Sequence, residues 1–351
     1  MGNERRFSAI NTKLRVMRSR FLKDDDYLTL MRKDSVAEQI KFLATSTVYG
    51  QVLDEVENHD DIQEVELSLE RFQITQFEKI IKYFSDDYEK YIKSFILRYE
   101  TEDLKLYLRA LARGDDLEKF SQKSVTRKKY YNFSYDKVKS SKTLDEFIDN
   151  LKDTRFYDVL YPYRHEDYTK LMFYMEMNLD RLYFDTLYQS GQELNKVDTR
   201  AFYDVFGENI DILNVEWIYR GLKFYNLSPE ELINYTLPHG KLFSFKDLKA
   251  LCYGDIENLK KVVSGSIYKE LVNEEKDLDL FMGIRVQRHL YNKFKNSFSQ
   301  GKLDISIANA YLHLLEFEIK DIISILESKK YGLSYYETKE YLVRDIKGSD
   351  Y

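Results

Sequence analysis

The sequence predicts an all-α fold made of three homologous helical domains, and three observations carry that expectation. The stretch TLDEFIDNLKDTRFYDVL, Thr143 to Leu160, has recognisable counterparts about 110 residues to either side. The chain is 43% hydrophobic with only 3 Pro and 13 Gly, which leaves little material for strand-ending turns or long irregular loops. Apolar residues recur at three- and four-residue spacing along most of its length, as one buried helix face requires.

The repeated unit reads as helix, tight turn, helix. Thr143 with Glu146 is a capping box, in which the hydroxyl caps backbone N–H groups while the glutamate reaches back. Ser35 with Glu38 repeats it, and Gly254 with Glu257 gives a weaker form, since glycine is tolerated at an N-cap. Counting from these caps, the apolar register is Ile40, Leu43, Tyr49, Val52, then Ile148, Leu151, Tyr157, Leu160, then Leu259, Val262, Tyr268, Leu271. Thr45-Ser46-Thr47, Asp153-Thr154 and Ser264-Gly265-Ser266 lie between the apolar halves and can stop one helix and cap the next. A second phrase keeps the period: Val65 to Arg71 is echoed by Met175 to Arg181 and Val286 to Asn292, in steps of 110 and 111. A third pairs Asp103 and Arg109 with Asn214 and Arg220, again 111 apart. Three periods nearly fill 351 residues, so the expected domains are 1–85, 86–199 and 200–351, the last including the C-terminal helices.

In chain order, Phe7 to Leu22 reads as an amphipathic helix with Leu14, Met17, Phe21 and Leu22 on one face and Lys13, Arg15, Arg18 and Arg20 on the other. Asp24-Asp25-Asp26 lacks the Gly and distal Glu of a calcium loop and reads as a solvated turn. After the first repeat phrase come an acidic loop, Asp54 to Asp61, and a long helical pattern through Phe84. The second domain runs from Asp86 through Arg109 and a solvated basic stretch, Lys123 to Lys129, to Tyr188. In the third, Ser228-Pro229-Glu230-Glu231 places Ser at a cap, Pro at the first helical position and Glu at the third. Ile305 to Lys329 is a further helix, Ser334 with Glu337 opens another, and a short tail follows.

Charge and composition exclude several function classes. A net charge of −6 is opposite to the basic footprint of a nucleic-acid protein, so no nucleic-acid partner is expected. The 30 Tyr and 22 Phe fall at helical spacing and are assigned to the core. The lone Cys252 excludes an internal disulfide, suits a reducing compartment and reads as a small buried residue. MGNERRFSAI has no apolar run of signal-peptide length and carries Arg6 where myristoylation needs Ser or Thr, so neither export nor lipidation is expected. No run approaches the roughly 18 consecutive apolar residues of a membrane span, so any membrane association comes through a partner.

A search for chemistry yields no catalytic, cofactor-binding or metal-ligating residue. There is no GxxxxGK[ST] phosphate cradle. His59, His165, His239, His289 and His313 form no HExxH pair, and Cys252 has no metal-ligand spacing. One enzyme alternative stands on residues: Asp60-Asp61-Ile62-Gln63-Glu64 mimics the DDxxE magnesium box of all-helical isoprenoid synthases, whose carboxylates hold Mg²⁺ and diphosphate. No Asn-Asp dipeptide begins the second metal box of those enzymes. A helical scaffold with some other partner is the third reading.

Three stretches resemble one family across essentially the whole chain: Asn11 to Leu22 leading into LATSTVY at Leu43 to Tyr49, NIDILNVEWIYRGLKFYNLSPEELINYTLPHG from Asn209 to Gly240, and ANAYLHLLEFEIKDIISILESKKYGL from Ala308 to Leu333. They are similar to the C subunit of the vacuolar/archaeal (V/A-type) ATP synthases, whose counterpart in the eukaryotic V-ATPase is the d subunit. Thr12-Lys13 stands where the family more often has Ala-Arg, and Arg113-Gly114-Asp115 lacks the Pro of the parallel loop at Pro238. The resemblance implies a funnel of three domains around a pseudo-threefold axis with an axial cavity, and no catalytic site. Three like units in head-to-tail contact close a ring when each rotation is near 120°. It further implies a peripheral position on the cytoplasmic side of the membrane, with the membrane rotor ring of proteolipid subunits and the central-shaft subunits of the soluble head as partners. The implied function is mechanical: a socket in the central stalk that transmits torque for H⁺ or Na⁺ transport.

Overall fold

The computed structural model describes residues 2–54, 56, 61–120, 124–126, 131–165, 168–225, 227–272 and 278–347. Among them there are helices and turns and no strand, so the fold is all-α. They gather into two compact units, one of Met1–Gln73 with Asn195–Tyr351 and one of Ile74–Leu194.

The first unit opens with α1 (Asn3–Arg18), which buries Phe7, Ile10, Leu14 and Met17 at helical spacing. It ends four residues short of the expected Leu22; Phe21 and Leu22 stay buried beyond its end. Asp24-Asp25-Asp26 is not a solvated turn but the first turn of α2 (Asp24–Arg32), where carboxylates favour the positive end of the helix dipole. Asp26 closes that start by accepting the Lys23 N–H at 2.8 Å. Then come α3 (Val36–Ser46), capped by Ser35, the single turn α4 (Gly50–Leu53), and α5 (Ile62–Ile81), which from Ile74 onward belongs to the other unit. Gly50 approaches the Ala44 carbonyl so closely that a Cβ there would overlap it, which is why the turn takes glycine.

The Ile74–Leu194 unit surrounds a buried helix. It contains α6 (Asp86–Ser94), α7 (Ile96–Ala112), the short α8 (Leu117–Phe120), α9 (Tyr135–Lys139), α10 (Leu144–Asp149) and α11 (Arg155–Leu160). A 3-10 turn at Tyr161–Tyr163 leads into α12 (Tyr168–Gln192). α7 buries Leu97, Leu104, Tyr107, Leu108 and Leu111 and packs chiefly against α12, with α8 and α6 beside it.

The chain then returns to the first unit with α13 (Lys196–Arg220), whose end widens into a π turn at Gly221–Tyr225. α14 (Pro229–Tyr235) starts as its sequence dictates, with Ser228 and Glu231 forming a reciprocal capping box and Pro229 at the first position. α15 (Phe245–Cys252), α16 (Ile256–Ser264), a 3-10 turn at Lys269–Leu271 and α17 (Leu278–Gln300) follow. α18 (Ser306–Lys330) forms the most extensive helix pair with α17 and also touches α1, α2 and α3. Ser334 and Glu337 cap α19 (Tyr335–Glu340). The residues after α19 are not a free tail, because Leu342, Val343 and Ile346 are buried.

The repeat is visible as helix, tight turn, short helical turn and long helix: α3–α4–α5, α10–α11–α12, and α16–3-10 turn–α17. The long helices keep the expected register, burying Val65 and Leu69, Met175 and Leu179, Val286 and Leu290. Around the turns Ile40, Leu43, Tyr49, Ile148, Leu151, Leu160, Leu259, Tyr268 and Leu271 are buried as expected, while the third cap and three apolar positions shift by one residue. The third cap is Asp255, which accepts the Asn258 N–H at 2.8 Å, and not Gly254. A hydroxyl stands two residues before a fully buried aromatic ring in each copy: Thr47 and Tyr49, Thr154 and Phe156, Ser266 and Tyr268. Tyr157 is only half-buried, and Leu53 and Val263, not Val52 and Val262, point into the core. Helical spacing fixes an apolar face only to within a residue, so turn geometry decides which neighbour goes inside.

Candidate functional site

Three helices each carry a buried Glu-x-x-Asp pair: Glu100 and Asp103 on α7, Glu208 and Asp211 on α13, Glu318 and Asp321 on α18. Their steps are 108 and 110, and none of the six residues is more than 6% exposed. Burying six carboxylates is costly unless each finds donors. Here each aspartate accepts consecutive backbone N–H groups from a segment that follows its helix.

Asp103 accepts Val125 N–H and Thr126 N–H, both at 2.9 Å, and the Tyr131 hydroxyl at 2.8 Å. Asp211 accepts the N–H groups of Lys241, Leu242 and Phe243 at 3.0, 2.7 and 3.1 Å, and the Tyr268 hydroxyl at 2.8 Å. Asp321 accepts Val343 N–H at 2.6 Å and Arg344 N–H at 3.1 Å. The segments after α7, α13 and α18 are thus each moored to the middle of the helix they follow. The moored segments after α13 and α18 carry exposed apolar side chains: Phe224, Tyr225 and Leu242 in one, Tyr331, Tyr336 and Tyr341 in the other.

The glutamates differ in their partners. Both oxygens of Glu100 accept from Asn132, its N–H and Nδ2, at 2.6 Å each. Glu318 accepts the Tyr49 hydroxyl at 2.7 Å and Leu22 N–H at 3.0 Å. Burial pushes the carboxyls of Glu100 and Glu318 up to about 7 despite these donors, and Asp321 likewise. Glu208 goes the other way. Burial pushes its carboxyl up, but His289, Lys241 and Lys293 outweigh that and hold it down to about 2. Lys241 Nζ lies 2.9 Å and Lys293 Nζ 2.8 Å from Glu208 Oε1, and both lysines also reach Asp204.

These carboxylates hold backbone and side-chain donors of the chain itself. Among the described residues no cluster of His, Cys, Asp and Glu could hold a metal ion. The Cys252 thiol is buried, which pushes it up to about 12, far from a reactive thiolate. Of the magnesium-box candidate, Asp60 lies outside the described residues, as do His59 and most of the basic stretch 123–129. Asp61 precedes α5 and accepts the Gln63 N–H at 3.0 Å, a capping role. An open cleft of about 790 Å³ beside Glu100 is lined by Lys90, Lys93 and Arg155 together with Asp185 and Glu193. Its cations are already engaged: Lys90 with Glu193 at 3.5 Å, Lys93 with Glu89 at 2.5 Å, and Arg155 with the Thr186 hydroxyl at 3.1 Å.

Sequence spacing alone does not single out the Glu-x-x-Asp pairs. The tetrapeptide also occurs elsewhere, as at Glu146 to Asp149, and becomes a signal only through its period and its place inside a long apolar helix. The pairing of Asp103 with Asn214 lands three residues past the true counterpart. The residue that moors a following segment as Asp103 does is Asp211, while Asn214 exchanges bonds with Leu237, donating to its C=O at 2.9 Å and accepting its N–H at 2.7 Å.

A model of the ATP synthase (C/AC39) subunit family matches residues 10–341. The A-type ATP synthase C subunit of Methanocaldococcus jannaschii is 24% identical over 349 residues, covering 96% of this chain and 86% of that protein. That of Methanosarcina mazei is 22% identical over 247 residues, 70% of this chain and 67% of that protein. That of Methanococcoides burtonii is 24% identical over 252 residues, 71% and 68%. With the match running through all three Glu-x-x-Asp helices, the chain belongs to the ATP synthase (C/AC39) subunit family, as a non-catalytic subunit.

Proposed function

We propose that this chain is the socket of the central stalk in a V/A-type ATP synthase, joining the central-shaft subunits of the soluble head to the membrane rotor ring and transmitting torque for H⁺ or Na⁺ transport. The observation that carries the reading is family membership over residues 10–341, in a chain whose three buried Glu-x-x-Asp pairs hold groups of the chain itself. A socket must be stiff and needs no chemistry; carboxylates that fasten following segments to buried helices supply stiffness.

In this reading the domains 1–85, 86–199 and 200–351 surround a pseudo-threefold axis as a funnel, and the axial cavity takes the foot of the shaft. The moored segments after α7, α13 and α18 carry the contacts to the partners, which suits a threefold body on a rotor of different symmetry, since no single contact then repeats around the ring. Among the described residues no helix is long and apolar enough to cross a membrane; in this reading the chain lies on the cytoplasmic side and the ring holds it to the membrane. Co-purification from detergent-solubilised membranes tests the reading: shaft and ring subunits are expected with the tagged chain, and recovery of the chain without either contradicts it.

A further inference from the structure

The residues after α19 tie the end of the chain to its beginning. Arg288 on α17 donates through Nε to the Leu342 carbonyl and through Nη2 to the Glu340 carbonyl, each at 2.9 Å. Asp321 on α18 accepts the next two N–H groups, those of Val343 and Arg344. The Arg344 side chain then reaches the corner between α1 and α2. Its Nη1 donates to the Leu22 carbonyl at 2.6 Å, its Nη2 pairs with Asp24 Oδ1 at 2.6 Å, and the guanidinium lies 5.2 Å from the centre of the Tyr27 ring. The Leu22 N–H donates to Glu318, so both backbone polar groups of Leu22 are committed to residues near the other end of the chain.

We propose that residues 341–347 act as a closing strap: seated, they lock the α1–α2 corner onto α18; released, they free that corner while the rest of the chain stays folded. Two features make the release selective. The segment's polar contacts are charge-assisted and concentrated in three side chains, Arg288, Asp321 and Arg344, so one substitution removes several of them. α2 is only nine residues long and offers few apolar anchors of its own, burying Tyr27, Leu30 and Met31. The proposal stands apart from the stalk reading, since it concerns how one chain holds itself.

Hydrogen–deuterium exchange on the full-length chain tests it. Arg344→Gln is expected to speed exchange on the order of tenfold in peptides spanning 19–33 and 335–347 and to leave 86–112 and 196–220 unchanged. Acceleration confined to 335–347, or equal acceleration everywhere, overturns the proposal. Arg344→Lys keeps the charge but cannot fork between Leu22 and Asp24, and is expected to fall between wild type and Arg344→Gln. Should Arg344→Gln fail to fold, Asp24→Asn serves in its place: faster exchange at both 19–33 and 335–347 supports the strap, and acceleration confined to 19–33, or an unchanged corner in both Asp24→Asn and Arg344→Lys, overturns it.

Discussion

The Tyr49 hydroxyl donates to Glu318 Oε1 at 2.7 Å across 269 residues of sequence, so a turn near the start of the chain is fastened to a helix near its end. Tyr268 makes the same kind of bond to Asp211 on α13, 57 residues away. Phe156, at the corresponding place in the second copy, has no hydroxyl; there Tyr131 supplies one to Asp103.

Removing these hydroxyls separates the observed register from the one helical spacing suggests. Tyr49→Phe and Tyr268→Phe each leave a buried carboxyl short of a donor and are expected to cost about 1–3 kcal/mol. Tyr157→Phe is expected to stay within about 0.5 kcal/mol, while Phe156→Ala costs about 3–5 kcal/mol. Urea midpoints at constant slope give the comparison.

Stability should vary with pH in two opposite limbs. Glu318, Asp321 and Glu100 are raised by burial to about 7, so their contribution is complete below the usual carboxylate range and is lost as pH climbs through about 7. Glu208 is held at about 2, so its contribution is complete above that range and is lost as pH falls toward 2. Denaturation midpoints should therefore peak at mildly acidic pH and fall toward pH 8. Glu318→Gln should flatten the alkaline fall without changing the acidic limb.

What the sequence disclosed was local. Ser35, Thr143, Ser228 and Ser334 cap the helices their spacing announces, because a cap and the N–H it accepts lie within four residues. The long-helix register of Val65, Met175 and Val286 was also legible, since twenty residues of period average out a slip of one. The shift from Gly254 to Asp255 was not, as both can begin a helix. Least legible were Asp321 with Val343, Arg344 with Leu22, and Tyr49 with Glu318. Each joins segments separated by turns of unequal length, and a buried polar residue at helical spacing looks like a solvated one until its partner is known.

Mooring can be tested at Asp211, which serves four donors at once. Asp211→Ala is expected to cost on the order of 3 kcal/mol or more. Asp61→Ala, at an exposed helix start, is expected to cost about 0.5–2 kcal/mol. Thermal unfolding of the two variants side by side checks the ordering.

The purified chain is expected neither to hydrolyse ATP nor to turn over allylic diphosphates with Mg²⁺, given the absence from its sequence of a phosphate cradle and a second metal box. Steady-state assays over a range of Mg²⁺ concentrations measure both. Turnover abolished by Asp60→Ala and Asp61→Ala together would reinstate the synthase reading.

The socket reading is tested most directly by ATP-driven ion uptake into vesicles reconstituted with and without this chain. Without it the soluble head is expected still to hydrolyse ATP while uptake vanishes, and adding the chain back is expected to restore uptake. Full uptake in its absence would contradict the coupling role.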